Sequence, residues 1–284
     1  MPASSLALAI DEDRLNARNF ARLAEFIQTR IGIKMPTGKQ TMLEGRLRRC
    51  AREYGASSLD DYCDHLFDEG AIETETAALF DAVTTNKTDF FREPVHFDFL
   101  TRVGLPALVA TGRTRVKAWS AACSIGAEAY TLAMVIEEFS RSQSRVDYAI
   151  LGTDLSTRVL EQAHSGKFSE AMIEPVPIAL RQRYFTRARD PRSNEVRIIP
   201  GIRAKHAFGR MNLMDDVYPV DRDMDIIFCR NVLIYFDKPT QAKVLKRLCG
   251  HLRPGGYLVL GHSESVTGLD LPITAVGNTV FQRR

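Results

Sequence analysis

Long apolar runs are missing from this 284-residue chain, and none approaches the roughly 20 residues that a membrane-crossing helix requires. The opening residues, MPASSLALAIDEDRL, have neither a basic region nor an extended apolar core, so no secretory leader is expected. Cysteine is scarce: Cys50, Cys63, Cys123, Cys229 and Cys249 are odd in number, scattered, and form no CxxC pair or Cys/His cluster. A disulfide framework and a zinc site of ordinary spacing are excluded, no metal is expected, and reduced thiols in a cytoplasmic chain are the plain reading. An excess of one charge is missing too. With 38 basic and 35 acidic residues mixed along the chain, nothing electrostatic argues for nucleic acid. There are no internal repeats and no low-complexity runs.

What remains is ordinary globular composition, long enough for one large domain or two modest ones. Its periodicity changes partway. Leu15, Phe20, Leu23, Phe26 and Ile27 predict a helix over residues 14–31 that Gly32 stops. Further helices are expected over 39–54, stopped by Gly55, then from a Ser58 cap to Phe67, and over 73–84. After about residue 113, strand patterns at 115–120, 146–153, 223–229 and 256–260 alternate with helical segments at 126–139, 156–164 and 240–252. That alternation predicts an α/β fold with a parallel, doubly wound sheet. Segments 273–276 and 279–282, around Gly277-Asn278, predict an antiparallel hairpin at its edge. Between residue 166 and the strand at 223 no crossover helix of usual length is visible. Short strands at 183–187, 195–199 and 203–208 suggest a small antiparallel insertion. The expected organisation is a helical domain over 1–93, a helical linker over 94–112, and an α/β domain over 113–284 carrying the insertion at 167–208.

The chemistry concentrates in MDIIFCRNVLIYFD, residues 224–237, where an Arg-Asn pair interrupts two apolar runs. Ligands bind in the crevice past the carboxyl ends of strands in such sheets, so Arg230, Asn231 and Tyr235 are candidates for a site. The plainer alternative for Tyr235, a half-buried core aromatic, is the lesser of the two readings. The first strand feeds Ala121–Tyr130, whose small residues allow close approach to a helix N-terminus, although only Gly126 of a dinucleotide fingerprint is present. The second strand ends at Asp154, placed either to accept two ribose hydroxyls or to cap the following helix. Without a pyrophosphate-binding glycine set, the combination favours S-adenosylmethionine over NAD. On the second helix, Arg46, Arg48, Arg49 and Arg52 face only Glu44 and Glu53. Such a cluster is a solvated face or a guide for an acidic partner, with Met42 and Leu47 on the packed side.

Several strings together carry a family resemblance. TNKTDFFRE over 85–93, the Trp119-Ser120-Ala121-Ala122 turn with Gly126 and Glu128, Asn212-Leu213, and FCRNVLIYFD over 228–237 resemble the bacterial chemotaxis receptor methyltransferases, the CheR family. The likeness runs from about Asn19 to the final hairpin. It implies a Rossmann-like S-adenosylmethionine-dependent methyltransferase sheet with an all-α N-terminal domain and an inserted β-subdomain. It also implies a cytoplasmic enzyme, expected to be monomeric, that methylates glutamate side chains on chemoreceptor helices. Cofactor contacts carried over by motif fall on Asn86, Thr88, Arg92, Glu128, Asp154, Asn212, Leu213, Arg230 and Asn231. Arg92 and Tyr235 are implied beside the reactive methyl group, Arg46, Arg49 and Arg52 near the substrate, and a receptor C-terminal peptide is a possible guest of the β-subdomain. One departure stands out. The family's Gly-Glu-Glu-Pro-Tyr turn reads Gly126-Ala127-Glu128-Ala129-Tyr130 here, keeping the second acid and losing the proline.

Overall fold

The structure, a computed structural model, describes residues 13–143, 145–188, 190 and 192–284; residues 1–12, on which most of the leader reading rests, lie outside them. The chain divides into two compact units, one reaching Thr85 and including Tyr235–Asp237, the other comprising Asn86–Ile234 and Lys238–Arg284.

The first unit is helical: α1 (Ala17–Ile31), α2 (Gln40–Tyr54), α3 (Leu59–Phe67) and α4 (Ile72–Val83). Its boundaries follow capping chemistry. The Asn16 side chain accepts the Asn19 N–H at the start of α1, Gly32 ends it at φ 74°, and the Ser58 side chain accepts the Asp61 N–H at the start of α3. Leu23, Ile27, Leu43, Leu47, Tyr62, Leu66 and Leu79 close the core. Met42, expected on the packed side of α2, is 38% exposed. The buried stripe is Leu43, Leu47, Cys50 and Ala51, and Met42 sits one residue, about 100° of helix, off it.

The second unit begins earlier than the expected boundary at residue 93. Residues 86–93 belong to it because Phe90 is buried against Phe168, the Ser124 hydroxyl donates to the Asn86 carbonyl (2.9 Å), and the Phe91 N–H donates to Thr131 Oγ1 (3.3 Å). A helical stretch follows, α5 (Val95–Phe99) and α6 (Leu105–Ala110), joined by a wider turn of π type over Leu100–Gly104. Then come β1 (Arg115–Ala121), α7 (Ala127–Ser142), β2 (Asp147–Asp154) and α8 (Thr157–Ser165). The insertion holds β3 (Lys167–Ser169), α9 (Ile178–Tyr184), β4 (Phe185–Arg187) and β5 (Glu195–Ile198). After it run α10 (Pro200–Arg203), β6 (His206–Arg210), β7 (Met224–Cys229), α11 (Lys238–His251), β8 (Leu252–Leu260), β9 (Ile273–Gly277) and β10 (Val280–Arg283).

Seven strands form the main sheet in the order β6-β2-β1-β7-β8-β10-β9. The first five are parallel, and β10 runs antiparallel to both of its neighbours, forming the expected hairpin with β9. All six residues of β7 are buried, as a central parallel strand covered on both faces requires. Its Asp225 survives there by accepting from Arg113 Nε (2.8 Å) and the Lys117 N–H (2.9 Å).

The insertion differs from its expected form. Its antiparallel sheet is β3-β5-β4, with Lys167–Ser169 as a strand that the sequence pattern did not reveal. Residues 178–184 are helical, so the expected strand at 183–187 shortens to Phe185–Arg187. The expected strand at 203–208 is instead His206–Arg210, and it leaves the insertion to pair in parallel with β2. Gly152 allows this closeness, since a Cβ there would stand 2.6 Å from the Phe208 ring.

Candidate functional site

The order places β1 between β2 and β7, so the sequential connection reverses direction there, and the ends at Ala121, Asp154, Arg210, Cys229 and Leu260 open along one edge. Crevices at such switch points hold ligands. The β1–α7 loop is tightly wound, with positive φ at Ala122 (61°), Ser124 (51°) and Gly126 (85°). Gly126 is required twice, because its φ is left-handed and a Cβ would stand 3.0 Å from that of Ala163. The missing proline at position 129 costs the turn nothing visible; Ala127 and Ala129 are both buried in the first turn of α7.

Asp154 joins this loop to β2. Its carboxylate accepts the N–H of Ser124 (2.8 Å) and of Ser156 (3.0 Å). The cap of α8 is Ser156, whose hydroxyl accepts the Val159 N–H, so Asp154 is not the helix cap. The Met211 N–H donates to the Asp154 carbonyl (2.9 Å), which sets Asn212 and Leu213 beside the same strand end. Asn212 Oδ1 accepts the Met214 N–H (3.0 Å), and Tyr218 holds the Leu213 carbonyl (2.8 Å).

Arg230 is the electrostatic centre. Its side chain is 1% exposed and pairs with Glu128 Oε2 (3.1 Å) and Glu93 Oε2 (3.0 Å), and it also donates to the Arg92 carbonyl. Glu128 also accepts from the Ser120 hydroxyl (2.6 Å). Burial raises the Glu128 carboxyl above its ordinary value, with Arg230 and Ser120 opposing the rise. For Glu93 burial again pulls upward, but hydrogen bonds from Asn231 and Arg230 and the Arg230 charge prevail, and its value is lowered. Asn231, at φ 59°, donates from Nδ2 to Glu93 Oε1 (3.1 Å). Its unusual backbone is held by Glu264, which accepts the N–H groups of Asn231, Val232, Leu233 and Gly261 between 2.7 and 3.0 Å.

Sequence-derived candidates thus fall into three groups. Asn86, Glu128, Asp154, Asn212, Leu213, Arg230 and Asn231 gather at the strand ends through the contacts above. Arg92 enters through its carbonyl; its guanidinium donates to the Lys87 carbonyl (3.0 Å), and Thr88 lies half-buried on the same segment. Tyr235 belongs to the helical unit, where its carbonyl accepts the Lys34 N–H (3.2 Å) and Lys39 lies over its ring. Of the α2 arginines, Arg46 is spent on the end of α4, donating to the carbonyls of Val83 and Thr84 and to Thr85 Oγ1. Arg49 pairs with Glu53 (2.8 Å) on the exposed face, and Arg52 is exposed. Glu44, read as a surface counter-charge, is buried and accepts the Leu15 N–H and the Gln40 amide. Sequence reasoning missed Glu93 and Glu264 as site-building acids. The signal for Glu264 was available: Gly261-His262-Ser263-Glu264 directly follows the carboxyl end of β8. The thiols of Cys123 and Cys229 are pushed well up by burial, so neither is a nucleophile.

An open, mostly parallel sheet with an acid closing β2 and a Glu–Arg pair closing the β1 and β7 ends defines a methyltransferase of the S-adenosylmethionine-dependent class. The donor set fits that cofactor: carboxylates for a ribose diol and an ammonium, a guanidinium for a carboxylate, and a buried Arg230 Nε with no hydrogen-bond partner among the described residues. The chain belongs to the CheR methyltransferase family, whose SAM binding domain matches residues 86–281 and whose all-alpha domain matches residues 18–84. It is 34% identical over 279 residues to a chemotaxis protein methyltransferase of Escherichia coli, covering 98% of this chain and 95% of that one. Chemotaxis protein methyltransferase 2 of Pseudomonas aeruginosa is 33% identical over 99% of both chains, and the Borreliella burgdorferi relative is 33% identical over 93% of this chain and 92% of its own. The protein is therefore an enzyme that transfers a methyl group, with S-adenosylmethionine as cofactor. No helix among the described residues is long and apolar enough to cross a membrane.

Proposed function

We propose that the protein methylates glutamate side chains on the cytoplasmic helices of chemotaxis receptors, forming glutamyl methyl esters. The observation that carries this reading is the joint presence of the Asp154, Glu128 and Arg230 constellation and the family's whole-length match. In this reading Asp154 takes the ribose hydroxyls, Asn212 and Leu213 flank the base, and Glu128 with Arg230 orients the amino acid end. Asn86, Thr88 and Asn231 line the same ligand. The bound cofactor supplies an electrophilic sulfonium methyl.

A glutamate with a pKa near 4.3 is already ionised at neutral pH, so no general base is needed. Charge is lost when a carboxylate attacks a cation. A strong electrostatic clamp on the carboxylate therefore holds the reaction back, whereas a dry site favours it. Arg92 accordingly acts by orienting the incoming carboxylate, and Tyr235 by presenting a hydroxyl and shielding the methyl from water. On the basic helix, Arg49, paired with Glu53, and Arg52 are exposed and would steer an acidic receptor helix, whereas Arg46 serves the end of α4. β4, an edge of the small sheet, offers a place for a receptor C-terminal peptide to add as a strand.

The test is incubation with methyl-labelled cofactor and receptor cytoplasmic fragments. Alkali-labile label on the receptor is the expected result. Label that resists alkali, or transfer only to small molecules, would overturn the proposal.

A further inference from the structure

Next to the Arg230 network, and sharing Glu93 with it, lies a second cluster whose two histidines have no part in the proposed methyl transfer. Glu93, in the turn before α5, His96, in its first turn, and His262, just past β8, bring one carboxylate oxygen and two ring nitrogens within 4.8 Å of one another. The Glu93–His96 pair is three residues apart, whereas His262 arrives from 169 positions away, where its backbone N–H also donates to Glu93 Oε2 (3.2 Å).

His96 shows that the cluster is set up for a ligand. The ring is wholly buried. Nε2 lies 2.9 Å from Thr279 Oγ1, while Nδ1 is buried with no hydrogen-bond partner among the described residues. Nδ1 stands 3.5 Å from Glu93 Oε2, too far for a good hydrogen bond to a carboxylate. In the tautomer that leaves Nδ1 free to ligate, Nε2–H donates to Thr279 Oγ1 and the Nδ1 lone pair faces a Glu93 carboxylate oxygen. Two acceptors so placed repel one another unless a cation sits between them.

The spacing suits a small cation. Ligand atoms around tetrahedral zinc, bonded at 2.0–2.2 Å, stand about 3.3 Å apart. His96 Nδ1 lies 3.5 Å and His262 Nε2 3.9 Å from Glu93 Oε2, so slight closure would complete three ligands. The His262 side chain is 44% exposed, leaving solvent to fill the remaining position. Arg230, 3.0 Å from the same oxygen, disfavours a weakly held cation and so selects for metals that bind imidazole strongly over magnesium or calcium.

We propose that Glu93, His96 and His262 form a binding site for a divalent transition metal of the zinc class. The His96 ring is oriented for it by Thr279, in the manner of a metal-binding histidine held through its second nitrogen.

The full chain is titrated with Zn²⁺ in competition with a chromophoric chelator, and the site geometry is read from the visible absorption of bound Co²⁺. One saturable equivalent is expected. His262→Ala, at an exposed position that leaves the core intact, should weaken it at least tenfold, and His96→Gln should do the same. Zn²⁺ should also raise the thermal midpoint of the wild type and not that of the His262 variant. Absence of a saturable equivalent, or equal affinity in His262→Ala, would overturn the proposal.

Discussion

The Glu264 carboxylate accepts the backbone N–H of Asn231 at 3.0 Å, across 33 positions of chain. With three further N–H groups on the same carboxylate, the loop leaving β7 is wound around one buried acid. That acid holds Asn231 at φ 59° and so aims its amide at Glu93. Replacement by Gln turns one acceptor into a donor that faces backbone N–H groups. Glu264→Gln should therefore lose about 1–3 kcal/mol of stability in urea unfolding and bind S-adenosylmethionine more weakly by calorimetry. A variant matching the wild type in both would show that the loop holds itself.

Asp154 bridges the loop after β1 to the start of α8 through the Ser124 and Ser156 amides. Asp154→Ala removes both acceptors along with the proposed ribose contact. Cofactor affinity should fall by more than tenfold, or about 1.4 kcal/mol, in equilibrium titration. Unchanged affinity would remove Asp154 from the cofactor site.

Arg92 uses its carbonyl for Arg230, while its guanidinium donates to the Lys87 carbonyl. Arg92→Ala keeps the carbonyl and removes the guanidinium. Turnover on receptor fragments should drop by one to several orders of magnitude, with cofactor affinity changed far less. Full turnover in this variant would sink the orienting role.

Gly152 lies where β2 and β6 run closest, and a Cβ there would meet the Phe208 ring at 2.6 Å. Gly152→Ala should cost about 1–3 kcal/mol by overpacking. Gly201, around which a Cβ would find open space, is the control. Equal midpoints for the two alanine variants in chemical denaturation would contradict this account.

His96 gives a pH signature. Its folded pKa is lowered to about 4 from an ordinary 6.5, so over that window the unfolded chain binds the extra proton. Its stabilising contribution is complete above about pH 6.5 and is lost as pH falls through about 4, with a slope of at most about 1.4 kcal/mol per pH unit. Arg230 and His262 oppose its protonation and Glu93 favours it. His206, also lowered by burial, acts in the same sense and is retained in the variant. The urea midpoint of His96→Asn should therefore flatten between pH 4 and 6.5 relative to wild type; parallel curves would mean that His96 does not titrate there.

Much of this was legible beforehand because it is local. Helix ends at Gly32, Gly55 and Ser58 follow from left-handed backbone and side-chain capping, which need only neighbouring residues. The run from Met224 to Cys229 reads as a buried parallel strand because both of its faces must be apolar. The assignment of residues 203–208 to the insertion failed for a related reason. A five-residue strand carries no record of its partner; here His206–Arg210 pairs with β2 in the main sheet, where Gly152 leaves room for the Phe208 ring. Arg46 was likewise unreadable as a helix-end ligand, since its acceptors lie 37 to 39 residues away.

By itself the sequence determined the two periodicities, the positions of the caps, and the Arg-Asn pair at the end of a central strand. Tertiary structure alone decided what that pair does. Arg230 is tolerable as a buried charge only because Glu128 and Glu93 reach it from 102 and 137 positions away, and Asn231 keeps its left-handed backbone only because Glu264 accepts its amide. Buried charges and strained backbone require partners, and those partners are set by strand order rather than by sequence neighbourhood.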